Sequence, residues 1–178
     1  MNMNKTKKNT PKKAILKKKV PPIPKGFHTA TPHLIVQDSR QAVEFYKKAL
    51  GAKQRGQIMS GPDGKTAHAE ITIGDSVVMM ADEMNMPTAG KSPQSLGGFT
   101  AEIMLYVKNV DALYSQAVAA GATSLQAPTD MFWGDRYCRV KDPFGHVWSL
   151  ATHFADPTPK QMEKAMAAMM AQMHGADK

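Results

Sequence analysis

The residues best suited to chemistry stand at alternate positions of short, strand-like segments. In TAHAEITI (66–73), His68 and Glu70 share one face of a predicted strand, while alanine and isoleucine occupy the other. Glu70 and Glu102 could form a buried carboxylate pair, in which the pKa of one member is raised enough for general-base catalysis. The alternative is that Arg139 or a histidine neutralises each carboxylate, since ion pairs also occupy clefts.

Aromatic side chains gather in the turn-rich segment FWGDR. Phe132 and Trp133 are placed to close over a flat ligand, and Asp135 and Arg136 are predicted to pair with each other. The alternative for this loop is a purely structural lid. Two tyrosines are expected to add polar tips to the same groove: Tyr106 and Tyr137.

The segment RYCRVKDPFGHVWSLATH (136–153) is typical of two strands joined by an Asp-Pro-Phe-Gly turn. Alternation directs one set of side chains to the core: Cys138, Val140, Trp148 and Leu150. It directs the other set to a groove: Tyr137, Arg139, Val147, Ser149, Ala151 and His153. Cys138, the single cysteine, excludes an internal disulfide and favours a reducing, cytoplasmic location.

The chain repeats itself, which explains how these residues are positioned. AVEFYKKALGA (42–52) and ALYSQAVAAGA (112–122) are both helical patterns ending in Gly-Ala. Asp38 or Ser39 is predicted to cap the first helix and Asn109 the second. Each helix follows one apolar strand and precedes three, so each half reads β-α-β-β-β.

This pattern predicts an α+β fold: two βαβββ modules form a curved mixed sheet around a groove, with helices on the outer face. The domain is expected to span residues 26–155. Module one covers about 28–83, a bridge rich in Pro, Gly and Ser covers 84–100, and module two covers about 101–153.

The net charge of +8 belongs to the N-terminus, since residues 1–25 hold nine lysines and no acidic residue. The rest of the chain is close to neutral. We predict a disordered tail, with loose nucleic-acid contact as the alternative because clustered lysines displace counterions. No apolar run reaches the ~20 residues of a membrane span, so we expect no membrane partner.

A C-terminal helix is predicted within residues 156–174, with Thr158 as its N-cap. Its methionines form one stripe at helical spacing: Met162, Met166, Met169, Met170 and Met173. Thioether side chains fill irregular apolar surfaces well. The stripe is therefore expected to dock on the body or on a second subunit.

The doubled module and the turn DPFGH, together with AVEFYKKALGA and HAEITIGDSVVMMADE, resemble the vicinal oxygen chelate superfamily. The resemblance covers residues 23–173 and is nearest to the PhnB-like glyoxalase and bleomycin-resistance group. It implies a homodimer. Metal-using members supply one ligand from the first and one from the last strand of each module.

The resemblance places those four ligand positions on Thr31, Met79, Glu102 and Ser149. Only Glu102 is a competent ligand, because hydroxyls are weak donors and a thioether suits soft ions. No cofactor is therefore expected. The alternative is a displaced divalent-metal site formed by residues that could share the groove: His33, His68, Glu70, Glu102 and His153.

We therefore expect a small-molecule-binding protein of the resistance or sequestration type, which encloses an organic ligand without breaking a bond. Its expected contacts are His68, Glu70, Glu102, Tyr106, Phe132, Trp133, Arg139 and Ser149. The alternative is a glyoxalase- or lyase-type enzyme that uses the displaced metal or has Glu70 or Glu102 as base.

Overall fold

The computed structural model describes residues 20–175, with side chains placed up to residue 171. The predicted lysine-rich tail lies outside the described residues up to residue 19, as does the side chain of Met173. The described elements are, in chain order, His33–Val36 (β1), Ser39–Leu50 (α1), Lys53–Ser60 (β2), Thr66–Ile73 (β3), Ser76–Asp82 (β4), Pro93–Leu96 (α2), Glu102–Tyr106 (β5), Val110–Ala119 (α3), Thr123–Asp130 (β6), Asp135–Lys141 (β7), Val147–His153 (β8) and Pro159–Gly175 (α4).

The strands form two four-stranded sheets, ordered β1-β4-β3-β2 and β5-β8-β7-β6. In each sheet the first strand of the module pairs in parallel with the last strand of the same module, β1 with β4 and β5 with β8. The remaining pairs are antiparallel. The register also repeats, because His33 lies opposite Met79 and Met104 lies opposite Ser149. The predicted α+β fold of two βαβββ modules is confirmed, with two open sheets.

Helix ends follow the predicted capping chemistry. The Asp38 carboxylate accepts a hydrogen bond from the Gln41 amide at the start of α1, and Asn109 does the same for α3. Gly51 ends α1 in the left-handed conformation, with φ 65°. Helix α3 differs, because Ala120 is its C-cap in the right-handed region, and the left-handed Gly121 follows one residue later.

One hydrophobic core serves both modules, since α1 and α3 pack against each other. The ring of Tyr46 on α1 meets that of Trp148 at 5.3 Å between centroids, and Gln116 on α3 donates to the carbonyl of Lys48 at 2.9 Å. The side chains predicted to face the core are buried: Cys138, Val140, Trp148 and Leu150. Val147, Ser149 and Ala151, which were predicted to face a groove, are buried as well, so β8 is covered on both faces along most of its length. The polar face of each sheet therefore points away from this shared core.

Within residues 20–175, no helix is both long and apolar enough to cross a membrane.

Candidate functional site

A cavity of about 460 Å³ lies on the polar face of the second sheet. Strands β5, β6 and β7 and the loop before β7 position its lining residues, which are Glu102, Met104, Tyr106, Gln126, Met131, Trp133, Asp135, Tyr137 and Arg139. A larger cleft of about 710 Å³ lies against α1 and Phe144, and it contains none of the predicted site residues.

The floor of the cavity is a closed hydrogen-bond network around Glu102. Arg139 forms an ion pair with the Glu102 carboxylate, and its Nε donates to Oε2 at 3.2 Å. Ser149 Oγ donates to the same oxygen at 2.7 Å and accepts from Tyr137 Oη at 2.9 Å. The hydrogen bonds from Arg139, more than that from Ser149, hold the pKa of Glu102 below its usual range.

The interpretation of Glu102 as a base of raised pKa is therefore wrong. Its carboxylate is neutralised by Arg139, as the alternative predicted. Glu70 lies on the first sheet, where it pairs with Arg55 at 2.9 Å. It therefore does not share a site with Glu102. The two carboxylates do not form the predicted pair, since the polar faces of the two sheets point away from one core.

The wall of the cavity is built on a buried carboxylate for which the sequence predicted a different partner, Arg136. Asp135 is only 3% exposed. Its Oδ2 accepts hydrogen bonds from Trp133 Nε1 and Tyr106 Oη, both at 3.1 Å. Its Oδ1 lies 2.7 Å from Nδ1 of His153, whose Nε2 lies 3.1 Å from Asp156. These carboxylates raise the pKa of His153, and Asp135 also raises that of Tyr106.

The predicted pair between Asp135 and Arg136 is wrong. Arg136 binds Asp111 through two nitrogens at 2.7 Å and Asp130 at 2.8 Å. Adjacent residues of a strand point to opposite faces, so Asp135 turns to the cavity while Arg136 turns away. This alternation could have identified Asp135 from the sequence.

Two aromatic rings stand edge-on beside Trp133. Phe132 lies 5.1 Å away between centroids and Tyr137 lies 5.8 Å away. Trp133 and Tyr137 line the cavity, whereas Phe132 is absent from its lining. Trp133 is thus oriented by edge-on contacts with these two rings and by its hydrogen bond to Asp135.

The remaining predicted residues form a separate cluster on the first sheet. His68 Nε2 lies 3.0 Å from Glu70 Oε1, completing a chain with Arg55. Burial, and to a smaller extent the neighbouring His68, lowers the pKa of His33. None of these residues lines the cavity of the second sheet, so the predicted single contact set is divided between the two modules.

The donor set at the four positions implied by the resemblance does not fit a divalent metal. The Thr31 hydroxyl donates to the His28 carbonyl at 3.1 Å, Met79 offers a thioether, and Ser149 and Glu102 bond each other. The displaced set does not converge either. Among the residues that the structure describes, no group of three or more His, Cys, Asp or Glu side chains could hold a metal.

Comparison with known proteins agrees with this architecture. The family model of the Glyoxalase/Bleomycin resistance protein/Dioxygenase superfamily matches residues 26–150. The uncharacterized protein Mb0911c of Mycobacterium bovis is 44% identical over 140 residues, covering 78% of this chain and 91% of Mb0911c.

Solved structures show the same fold. TioX from Micromonospora sp. ML1 has a TM-score of 0.56 at 26% identity, covering 70% of this chain and 99% of TioX. A glyoxalase/bleomycin resistance protein/dioxygenase from Nocardioides has a TM-score of 0.55 at 21% identity, covering 74% and 87%. The nearer PhnB-like grouping stays a prediction. The resemblance to vicinal oxygen chelate proteins is confirmed, and this chain belongs to the Glyoxalase/Bleomycin resistance protein/Dioxygenase superfamily.

Proposed function

We propose that the chain binds a flat organic molecule on the polar face of its second sheet and sequesters it without chemical change. One observation carries this proposal. Glu102, which is the only competent metal ligand among the four family positions, is committed to Arg139 and Ser149. A carboxylate with several donors and a lowered pKa is a poor general base at neutral pH.

The groups left free in the cavity suggest the chemistry of the ligand. Both acidic side chains of the lining already accept several hydrogen bonds. Nη1 of Arg139 has no hydrogen bond to any residue of the described chain, and Gln126 Nε2 makes only a 3.9 Å contact with a sulfur atom. Beside these donors stands the oriented ring of Trp133. A planar ligand bearing carbonyl or carboxylate oxygens would use both.

We propose further that a second copy of the chain completes the groove. The described lining belongs wholly to module two, and the cavity is open on the side away from the sheet. Module one carries a polar cluster of its own around Glu70, also directed away from the core. Facing these two surfaces across a two-fold axis would enclose the ligand between His68 and Glu70 of one copy and Trp133 of the other.

Binding is tested with a thermal-shift screen of flat aromatic carboxylates, quinones and peptide antibiotics, followed by calorimetry on any hit. Trp133→Leu should weaken binding about tenfold or more, because a stacked ring is lost. Phe99→Leu is the matched control, since Phe99 is exposed on the bridge and does not line the cavity. Equal loss in both variants, or no hit in a broad screen, overturns the proposal.

Glu102→Gln and metal removal separate binding from catalysis. In a binder, Glu102→Gln alters affinity only modestly, and EDTA changes neither the melting temperature nor the affinity. Turnover of a bound compound that disappears in Glu102→Gln, together with a stoichiometric divalent metal, would replace sequestration by a glyoxalase- or lyase-type reaction.

A further inference from the structure

The N-terminal part of the described chain places a tight turn over the polar face of the first sheet. In this turn, residues 24–27, the Phe27 amide donates to the Pro24 carbonyl at 3.0 Å. Gly26 is its third residue and has φ 84°, the left-handed conformation that a type II turn requires there. The sequence PKGF therefore specifies a turn that ends in an aromatic side chain.

Arg55 on β2 holds this turn. Its Nη2 donates to the Lys25 carbonyl at 2.8 Å, and its guanidinium carbon lies 4.8 Å from the centre of the Phe27 ring. Its Nε pairs with Glu70 at 2.9 Å, which orients the guanidinium group. The approach is close, because a Cβ on Gly26 would lie 2.7 Å from Arg55 Nη1. One planar cation thus binds a carbonyl oxygen and an aromatic ring together.

The internal repeat relates this contact to the second-sheet cavity. A row of paired residues crosses each sheet: Arg55, Glu70, Met79 and His33 in module one, and Gln126, Arg139, Ser149 and Met104 in module two. Arg55 therefore corresponds to Gln126, which lines the cavity. Phe27 contacts the module-one counterpart of a cavity residue, and it does so from the same chain.

We propose that the polar face of module one is a second binding surface, which recognises an aromatic group next to a carbonyl oxygen, and that residues 25–27 occupy it as a built-in ligand. The matching free ligand is an aromatic residue in a peptide or amide, because it carries the same ring and the same carbonyl. Such a ligand and the turn compete for Arg55. The inference needs neither a compound in the second-sheet cavity nor a second copy of the chain.

The contacts that hold the turn are individually weak. Arg55 and Phe27 are both partly exposed, and a single hydrogen bond or cation–π contact contributes little at such a site. The occupied form should therefore exceed the open form by only about tenfold, and the apparent affinity for a free ligand should be reduced by the same factor. Weakening the turn should restore most of that affinity.

The test is an NMR titration of the full chain with N-acetylphenylalaninamide, followed through the backbone amide of Glu70. Phe27→Ala should bind this probe about fivefold more tightly than the wild type, because the competing ring is lost. Ile23→Ala is the matched control and should match the wild type, since Ile23 is an exposed apolar residue outside the turn. N-acetylalaninamide, which lacks the ring, should bind none of the three chains measurably.

Gly26→Ala provides a second way to open the turn. It leaves Arg55 and Phe27 in place but strains the left-handed position, and it should also tighten binding. In the wild type, saturation with the probe should release the turn, so the heteronuclear NOE of the Gly26 amide should fall. A turn that merely packs on the sheet would keep its NOE.

Two further variants locate the probe. Arg55→Lys keeps a positive charge beside Glu70 but loses the planar guanidinium, and it should abolish probe binding when combined with Phe27→Ala. Trp133→Leu alters the second-sheet cavity and should leave probe binding unchanged.

Four results would each overturn the inference: no saturable shift in Phe27→Ala, equal affinity in Phe27→Ala and the wild type, a turn that stays ordered when the probe is bound, or binding that depends on Trp133 and not on Arg55. A failed ligand screen at the second-sheet cavity would instead refute the proposed function and leave this titration unaffected.

Discussion

At the scale of single residues, Asp142 of the DPFG turn holds the two modules together. Its carboxylate is buried and accepts from Tyr46 Oη at 2.7 Å and Trp148 Nε1 at 2.9 Å. Its other oxygen accepts from the amides of Phe144 and His146, both at 2.9 Å. Burial, with the nearby carboxylate, raises the pKa of Tyr46 well above its usual value. The turn aspartate is thus a structural anchor between α1 and β8.

Asp142→Ala should lower the free energy of unfolding by about 3 kcal/mol or more, because four donors lose their acceptor. Tyr46→Phe is the matched comparison. It removes one of these hydrogen bonds and should cost about 1 kcal/mol. Urea denaturation followed by circular dichroism measures both. A loss in Asp142→Ala no larger than that in Tyr46→Phe would contradict the anchoring role.

His153 gives a residue-level pH dependence. Its folded-state pKa is raised above the ordinary 6.5, chiefly by Asp135 and then by Asp156. Protonated His153 therefore contributes stability fully below pH 6.5, and this contribution is lost as the pH rises through the folded-state pKa. An NMR titration should place this pKa above 6.5, and Asp156→Asn should lower it.

The difference in unfolding free energy between wild type and His153→Gln should shrink as the pH rises through that range. His28→Gln, in the exposed N-terminal segment, is the control and should show no such trend. A difference that grows with pH would mean that neutral His153 is the form bound by the two carboxylates.

At the scale of elements, the bridge is more ordered than its Pro, Gly and Ser content indicates. Glu83, just after β4, accepts hydrogen bonds from the Ser92 amide at 3.0 Å, the Ser92 hydroxyl at 2.7 Å and the Ser95 hydroxyl at 2.6 Å. Lys91 pairs with its other oxygen at 2.9 Å. Glu83 thereby fixes the short helix α2 to the first sheet.

Glu83→Gln should speed amide hydrogen exchange in residues 84–98 without changing exchange in the core strands. The hydrogen bonds, first that from Ser95, depress the pKa of Glu83. Its contribution is therefore present at neutral pH and is lost only as the pH falls through that depressed value. Glu44→Gln, which breaks the exposed pair with Lys47, is the control. Unchanged exchange in the bridge would show that Glu83 does not hold α2.

At the scale of the whole molecule, the shared core makes the two modules one folding unit. Tyr46 of module one donates a hydrogen bond to Asp142 of module two, and Gln116 of module two donates to carbonyls in the last turn of α1 in module one. The sheets themselves do not exchange strands. Cooperation between the modules therefore depends on the packing of α1 against α3.

The chain should unfold in urea in a single transition, since neither module keeps a complete core alone. Tryptophan fluorescence reports module two, because both tryptophans lie there, and circular dichroism reports both modules. The two curves should coincide in the wild type. Different midpoints for the fluorescence and circular dichroism curves would contradict a common core, because they would show module two unfolding independently of module one.

Local patterns were enough for much of this protein. Alternation identified the buried set around Trp148 and Leu150, the spacing of Asp38 and Asn109 predicted the helix starts, and the repeat predicted two βαβββ modules. The first two depend on residues close together in the chain, and the repeat is read by comparing two segments of the sequence directly. The hydrogen-bond partners of Glu102 could not be predicted from local patterns, because Arg139 and Ser149 lie on other strands.

The packing of α1 on α3 turns the two polar faces outward, so Glu70 and Glu102 stay apart although both satisfy the strand pattern. On the second sheet Asp135 orients Trp133. Met166 and Met169 of α4 are exposed. Strand alternation predicts on which face of a sheet a side chain lies. It does not predict which other part of the protein packs against that face. Only the register between strands and the packing between modules decide which groups come within hydrogen-bonding distance.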